Sequence, residues 1–67
     1  MSIVVNGEPR AEAPPSLAAL CLAEGVDPAR KGVAIALNGR VVRRDRWAET
    51  PLADGDRVEI VRAFPGG

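Results

Sequence analysis

Histidine and tyrosine, two side chains often used for proton transfer, are absent from this chain, and cysteine occurs once, at position 21. General acid–base work would therefore fall to carboxylates. Asp54, Asp56 and Glu59 lie close together, but in a turn signal and the strand-like run after it, with no nucleophile beside them. Asp54-Gly55-Asp56 lacks the spacing of a calcium loop and reads as a plain β-turn. Gly32, Gly39 and Gly55 are isolated turn glycines, not a phosphate-cradling loop. Cys21 falls on the apolar face of a helical stretch, where an inert core thiol outweighs a persulfide carrier. These parts do not assemble a free-standing enzyme, and they supply no metal site.

One feature remains. The chain closes on Ala63-Phe64-Pro65-Gly66-Gly67. A terminal Gly-Gly pair alone is weak evidence, since chain ends commonly fray. Its sharper reading makes the tail itself a substrate. Two residues without side chains can thread a narrow channel and bring the Gly67 carboxylate to a catalytic centre elsewhere. A carboxylate is a poor electrophile because its charge is shared over two oxygens. Transfer to AMP gives a mixed anhydride with a good leaving group, and a persulfide or sulfide can then displace AMP to leave a thiocarboxylate. Pro65 fixes its own φ and disfavours helical geometry at Phe64, which stiffens the tail toward an extended form.

The elements needed to hold such a tail are written along the chain. Ile3-Val4-Val5 meets Asn6-Gly7, a two-residue hairpin signal, and Glu8 to Glu12 is expected to return as a polar strand that Pro9 confines to an edge. Pro14-Pro15 closes it. Ser16 can cap a helix through Leu17–Glu24, with Leu17, Leu20 and Cys21 on one face and Leu22 at its flank. Gly25 stops the helix and Val26 can fold back on Cys21. Asp27-Pro28 suggests a short helical turn reaching Lys31. Val33–Leu37 is apolar on both faces and so expected inside a sheet. Asn38-Gly39 is a second hairpin signal, returning through Arg40–Arg43. Asp45 can cap a single turn carrying Trp47. Asp54-Gly55-Asp56 then leads into a last strand, Arg57 to Phe64, in which Val61 breaks the alternation.

Composition narrows the class. The 67 residues allow one domain, which buries only about 60% of its unfolded surface. With 46% hydrophobic and 27% charged residues, the chain is a folded domain and not a disordered tail. Nine bases balance nine acids, so nothing draws it at long range to nucleic acid or anionic lipid. No aromatic platform interleaves the arginines, and no apolar run reaches membrane-spanning length. No leader-like segment precedes the first strand, so the expected location is cytoplasmic. Arg40, Arg43, Arg44 and Arg46 cluster ahead of Glu49, Asp54, Asp56 and Glu59, and a solvated surface outweighs a docking face there. Trp47 weighs toward core packing, and Phe64 marks the expected end of the ordered sheet.

Taken together, Val33–Gly39, Val41-Val42, Arg44, Trp47–Thr50, Leu52 and Asp54–Val61, with the terminal Gly66-Gly67, resemble the ThiS family of sulfur carriers in thiamine biosynthesis. The resemblance implies an α+β fold of the β-grasp (ubiquitin-like) type, a mixed sheet of about five strands on one helix over residues 1–64. A flexible reactive tail, 65–67, would follow. It implies that Gly67 is adenylated and converted to a thiocarboxylate, with Phe64, Pro65 and Gly66 lying in the partner's channel. Arg43, Arg44 and Trp47 are the expected docking residues. The implied partners are a ThiF-type adenylating enzyme using ATP and magnesium, a persulfide donor such as a cysteine desulfurase or rhodanese-like protein, and the thiazole synthase ThiG. The chain itself would bind no cofactor. Two positions depart from the family pattern: Arg43 replaces a common proline, and Pro65 stands where smaller or polar residues are usual. The alternatives are a carrier like the small subunit of molybdopterin synthase, or a β-grasp modifier or interaction module.

Overall fold

The computed structural model describes residues 2–62. Five strands make one mixed sheet: β1 (Ile3–Val5), β2 (Glu8–Arg10), β3 (Val33–Leu37), β4 (Arg40–Val42) and β5 (Arg57–Arg62), in spatial order β2-β1-β5-β3-β4. The last strand enters the centre, parallel to β1 and antiparallel to β3. One helix, α1 (Leu17–Ala23), lies across one face. A 3-10 helix, Arg44–Glu49, joins β4 to the turn before β5.

Both Asn-Gly pairs form the hairpins expected of them. Asn6 and Gly7 have φ of 50° and 81°, and Asn38 and Gly39 have 52° and 83°. Two consecutive positive φ values define the turn whose twist matches that of the flanking strands. Pro9 sits on the outer strand β2, where its missing N–H costs no ladder bond. β2 stops at Arg10, short of the expected Glu12, because its partner β1 begins at Ile3, opposite Arg10.

The helix ends where its sequence says. Ser16 Oγ accepts from Ala19 N at 3.1 Å. At the other end, Val26 N donates to Cys21 O at 2.8 Å and Gly25 N to Leu22 O at 3.1 Å. That is a Schellman motif, with Gly25 at φ 77° in the position where a Cβ is disfavoured. Val26 thereby folds back into the core.

Two local expectations need correction. Residues after Asp27 form hydrogen-bonded turns and no helix: Asp27 Oδ1 accepts from Ala29 N and its carbonyl from Arg30 N. Asp45 does not cap the 3-10 helix; Arg43 holds that position in extended geometry without a side-chain bond, and Asp45 lies inside the first turn. β3 lies inside the sheet as expected, between β5 and β4, with Val33 and Ile35 buried and Ala34 exposed on the outer face. The helix covers one face only.

The core gathers inward residues of β1, β3 and β5 with Leu17, Leu20 and Cys21 of α1. Trp47 completes it from the 3-10 helix, 2% exposed, with its indole N–H donating to Val42 O at 2.8 Å. A buried indole needs such a partner. Leu17 N donates to Thr50 O at 3.0 Å, so the start of α1 and the end of the 3-10 helix are tied directly. Among the described residues, no helix is long and apolar enough to cross a membrane.

Candidate functional site

Gly67 and the channel residues Phe64, Pro65 and Gly66 lie outside the described residues, so the site begins at its root, β5. That strand is held on both sides. On one side β3 pairs with it from Leu37↔Val58 to Val33↔Arg62. On the other, β1 pairs at Val4↔Arg57 and Val5↔Val58. The alternation doubted at Val61 is kept: Val58 and Ile60 point inward and are buried, while Glu59 and Val61 point out.

The expected docking residues do not form one exposed patch. Trp47 is buried and cannot meet a partner. Arg44 lies with its guanidinium 4.6 Å from the Trp47 ring centroid. It donates to the carbonyls of Pro28, Arg30 and Val33, tying the loop before β3 to the 3-10 helix. Arg43 and Arg44 are both exposed, Arg43 in a 3.4 Å ion pair with Asp45. The reason lies in the 3-10 turn: it carries Trp47 toward α1 and leaves Arg44 stacked over it.

The outer face of the sheet is the surface that the sequence reading missed. Val41 is 78% exposed and Val61 58% exposed. Between them, Ala36 pairs with Val41, and Ala34 pairs with Val61. Two small residues flanked by two exposed valines make a shallow apolar surface, and one of those valines is on the strand that leads to the tail. The signal was present in the alternation of β3 and β5, but parity alone does not say which face is covered.

The groups with potential chemistry are otherwise occupied. Asp54 Oδ1 accepts from Ser2 N at 2.7 Å. Asp56 accepts from Ala53 N at 2.8 Å and Asn38 Nδ2 at 3.0 Å. Asp56 thus closes its own turn and ties it to the second hairpin, while Asp54 ties the turn to the start of the chain at Ser2. Cys21 is fully buried, and burial pushes its thiol pKa up, with the Arg44 charge opposing as the lesser influence. A protonated, enclosed thiol is a poor nucleophile. Among the described residues, no three histidine, cysteine or carboxylate side chains gather where a metal ion could be held.

A mixed five-stranded sheet, with its last strand inserted at the centre and one helix across a single face, defines a β-grasp domain. The ThiS family model matches residues 3–67, and the chain belongs to that family. It is similar to the sulfur carrier protein ThiS of Escherichia coli K12, 35% identical over 46 residues, covering 69% of this chain and 70% of that one. A crystal structure of the thiamine biosynthesis protein ThiS from Geobacter metallireducens aligns over 100% of both chains at 33% identity, with a TM-score of 0.78. A solution structure of a thiamine biosynthesis protein from the same organism aligns over 100% of this chain and 88% of that one, at 35% identity and a TM-score of 0.77.

Proposed function

We propose that this chain is a cytoplasmic sulfur carrier for thiamine thiazole synthesis, with the Gly67 carboxylate as its reactive group. The family match that runs through Gly66-Gly67 carries the reading. The absence of histidine and the burial of the one thiol support it, since they leave the tail as the place for chemistry. The chain acts as a protein co-substrate and not as a catalyst.

The steps follow from the chemistry of a carboxylate. A Gly67 carboxylate oxygen attacks the α-phosphorus of ATP on a ThiF-type enzyme, and pyrophosphate leaves. Magnesium on that enzyme offsets the phosphate charge. The resulting acyl-adenylate carbon is then attacked by sulfur, and AMP leaves. Free sulfide gives the thiocarboxylate directly. A persulfide donor, from a cysteine desulfurase or rhodanese-like protein, gives an acyl disulfide that a further thiol reduces. The thiocarboxylate then delivers sulfur to ThiG. Phe64, Pro65 and Gly66 occupy the partner's channel, while the apolar face around Val41 and Val61 meets the adenylating partner beside its mouth.

Intact-mass measurement tests this. With an active ThiF-type partner, Mg-ATP and a sulfur source, the chain gains about 16 Da, one oxygen exchanged for sulfur at Gly67. A chain lacking Gly66-Gly67 keeps its far-UV circular dichroism and gains nothing. An unchanged mass with a demonstrably active partner refutes the proposal, and an isopeptide between Gly67 and a lysine would replace it with a modifier role.

A further inference from the structure

Where β1 turns away at Asn6, the β1 side of β5 loses its backbone partner. β1 stops at Val5, opposite Val58. On its other side, β5 stays paired with β3 as far as Arg62. A strand held from one side only can twist about that edge. Asn6 fills the gap with its own amide. Its backbone N–H donates to Val58 O at 2.8 Å, and its side-chain Oδ1 accepts from Ile60 N, also at 2.8 Å. One residue thus supplies two successive rungs, the second from a side chain and across 54 positions of sequence.

From this we infer that Asn6 is a positioning residue for sulfur transfer: it extends the two-sided hold on β5 to Ile60 and so sets the line along which the tail leaves the domain. The inference rests on the carrier reading above. Among the described residues β5 ends at Arg62, held there by β3 alone, so play at the Ile60 rung shifts the strand end that presents the rest of the chain to a partner. Delivery into a partner's site depends on that precision. Asn38, in the second hairpin, makes the matching side-chain bond to β5, accepting from Arg57 N at 2.9 Å. That bond lies at the strand's entry, on the β3 side of Arg57, whereas the Asn6 bond holds the β1 side two residues before the last described pair, Val33↔Arg62.

The turn itself and the amide can be separated. Asn6 has a φ of 50°, which glycine adopts freely, so Asn6→Gly keeps the hairpin and removes only Oδ1 and its amide. Asn6→Asp keeps an acceptor at the same place and tolerates the same φ. Amide hydrogen exchange by NMR, read at Ile60 against the Ile35 amide of β3, follows the rung itself. Asn6→Gly is expected to speed exchange at Ile60 by about tenfold relative to Ile35. In adenylation by the partner enzyme, KM for this variant rises by about tenfold while kcat stays near wild type. Asn6→Asp restores both. Equal acceleration at Ile60 and Ile35, or wild-type KM with Ile60 exposed, overturns the positioning role. A wild-type chain that an active partner does not adenylate overturns the carrier reading instead, whatever the exchange data show.

Discussion

The two faces of the sheet carry similar residues and do different work. Inward, Val58, Ile35 and Val5 are no more than 1% exposed and pack against α1. Outward, Val41 and Val61 keep 78% and 58% of their surface in water, although Val61 shares β5 with the core residues Val58 and Ile60. A β-branched side chain suits either face of a pleated strand equally well. What separates them is the single helix, which covers one side. Burial, not residue type, decides whether a valine holds the fold together or remains available to a partner.

Substitution should break this comparison unevenly. Ile35→Ala, on the inner face, is expected to cost about 2–5 kcal/mol in urea unfolding. Against the roughly 3–10 kcal/mol expected for a chain this long, that is enough to populate the unfolded state. Arg44→Ala tests the rim between the faces. It removes three donations to loop carbonyls and the stacking on Trp47. Because the guanidinium is partly in water, the loss should be about 1–2 kcal/mol, and Arg44→Lys should not rescue it.

Val41→Asp, on the outer face, should alter stability by under about 1 kcal/mol. If that face meets the adenylating partner, the same change raises KM for the carrier by about tenfold. Unchanged kinetics would return the outer valines to mere surface. The smallest effect concerns Cys21. Its thiol pKa is raised by burial, so the unfolded thiol ionises first as pH rises, and the unfolded state then binds fewer protons. Stability is therefore full below the unfolded pKa and is lost as pH rises from there through the raised folded pKa. Cys21→Ala should remove that slope in denaturant curves collected from pH 7 to 9.

Local grammar was legible in the sequence because its causes span only a few residues. Both Asn-Gly turns, the Ser16 cap and the Gly25 stop each depend on φ preferences or bonds reaching no more than five positions. The edge placement of Pro9 followed from its missing donor. Weaker local signals failed where packing overruled them. Asp45 resembled a cap, yet the chain enters its 3-10 helix two residues earlier, at Arg43, and Trp47 reaches the core and Val42 O from there.

The sequence by itself determined which segments pair as hairpins and where the helix starts and stops, and it is the source of the proposal that Gly67 is the reactive group. The weighting of Trp47 toward the core was also right, but only the tertiary structure decided that Arg44 bonds loop carbonyls and that Val41 and Val61 face water. It also brought Asn6 to Ile60, 54 residues away. Alternation along a strand divides residues into two faces without saying which one the helix will cover. A side-chain bond between distant segments exists only after folding has brought their backbones within three ångströms of each other's polar groups.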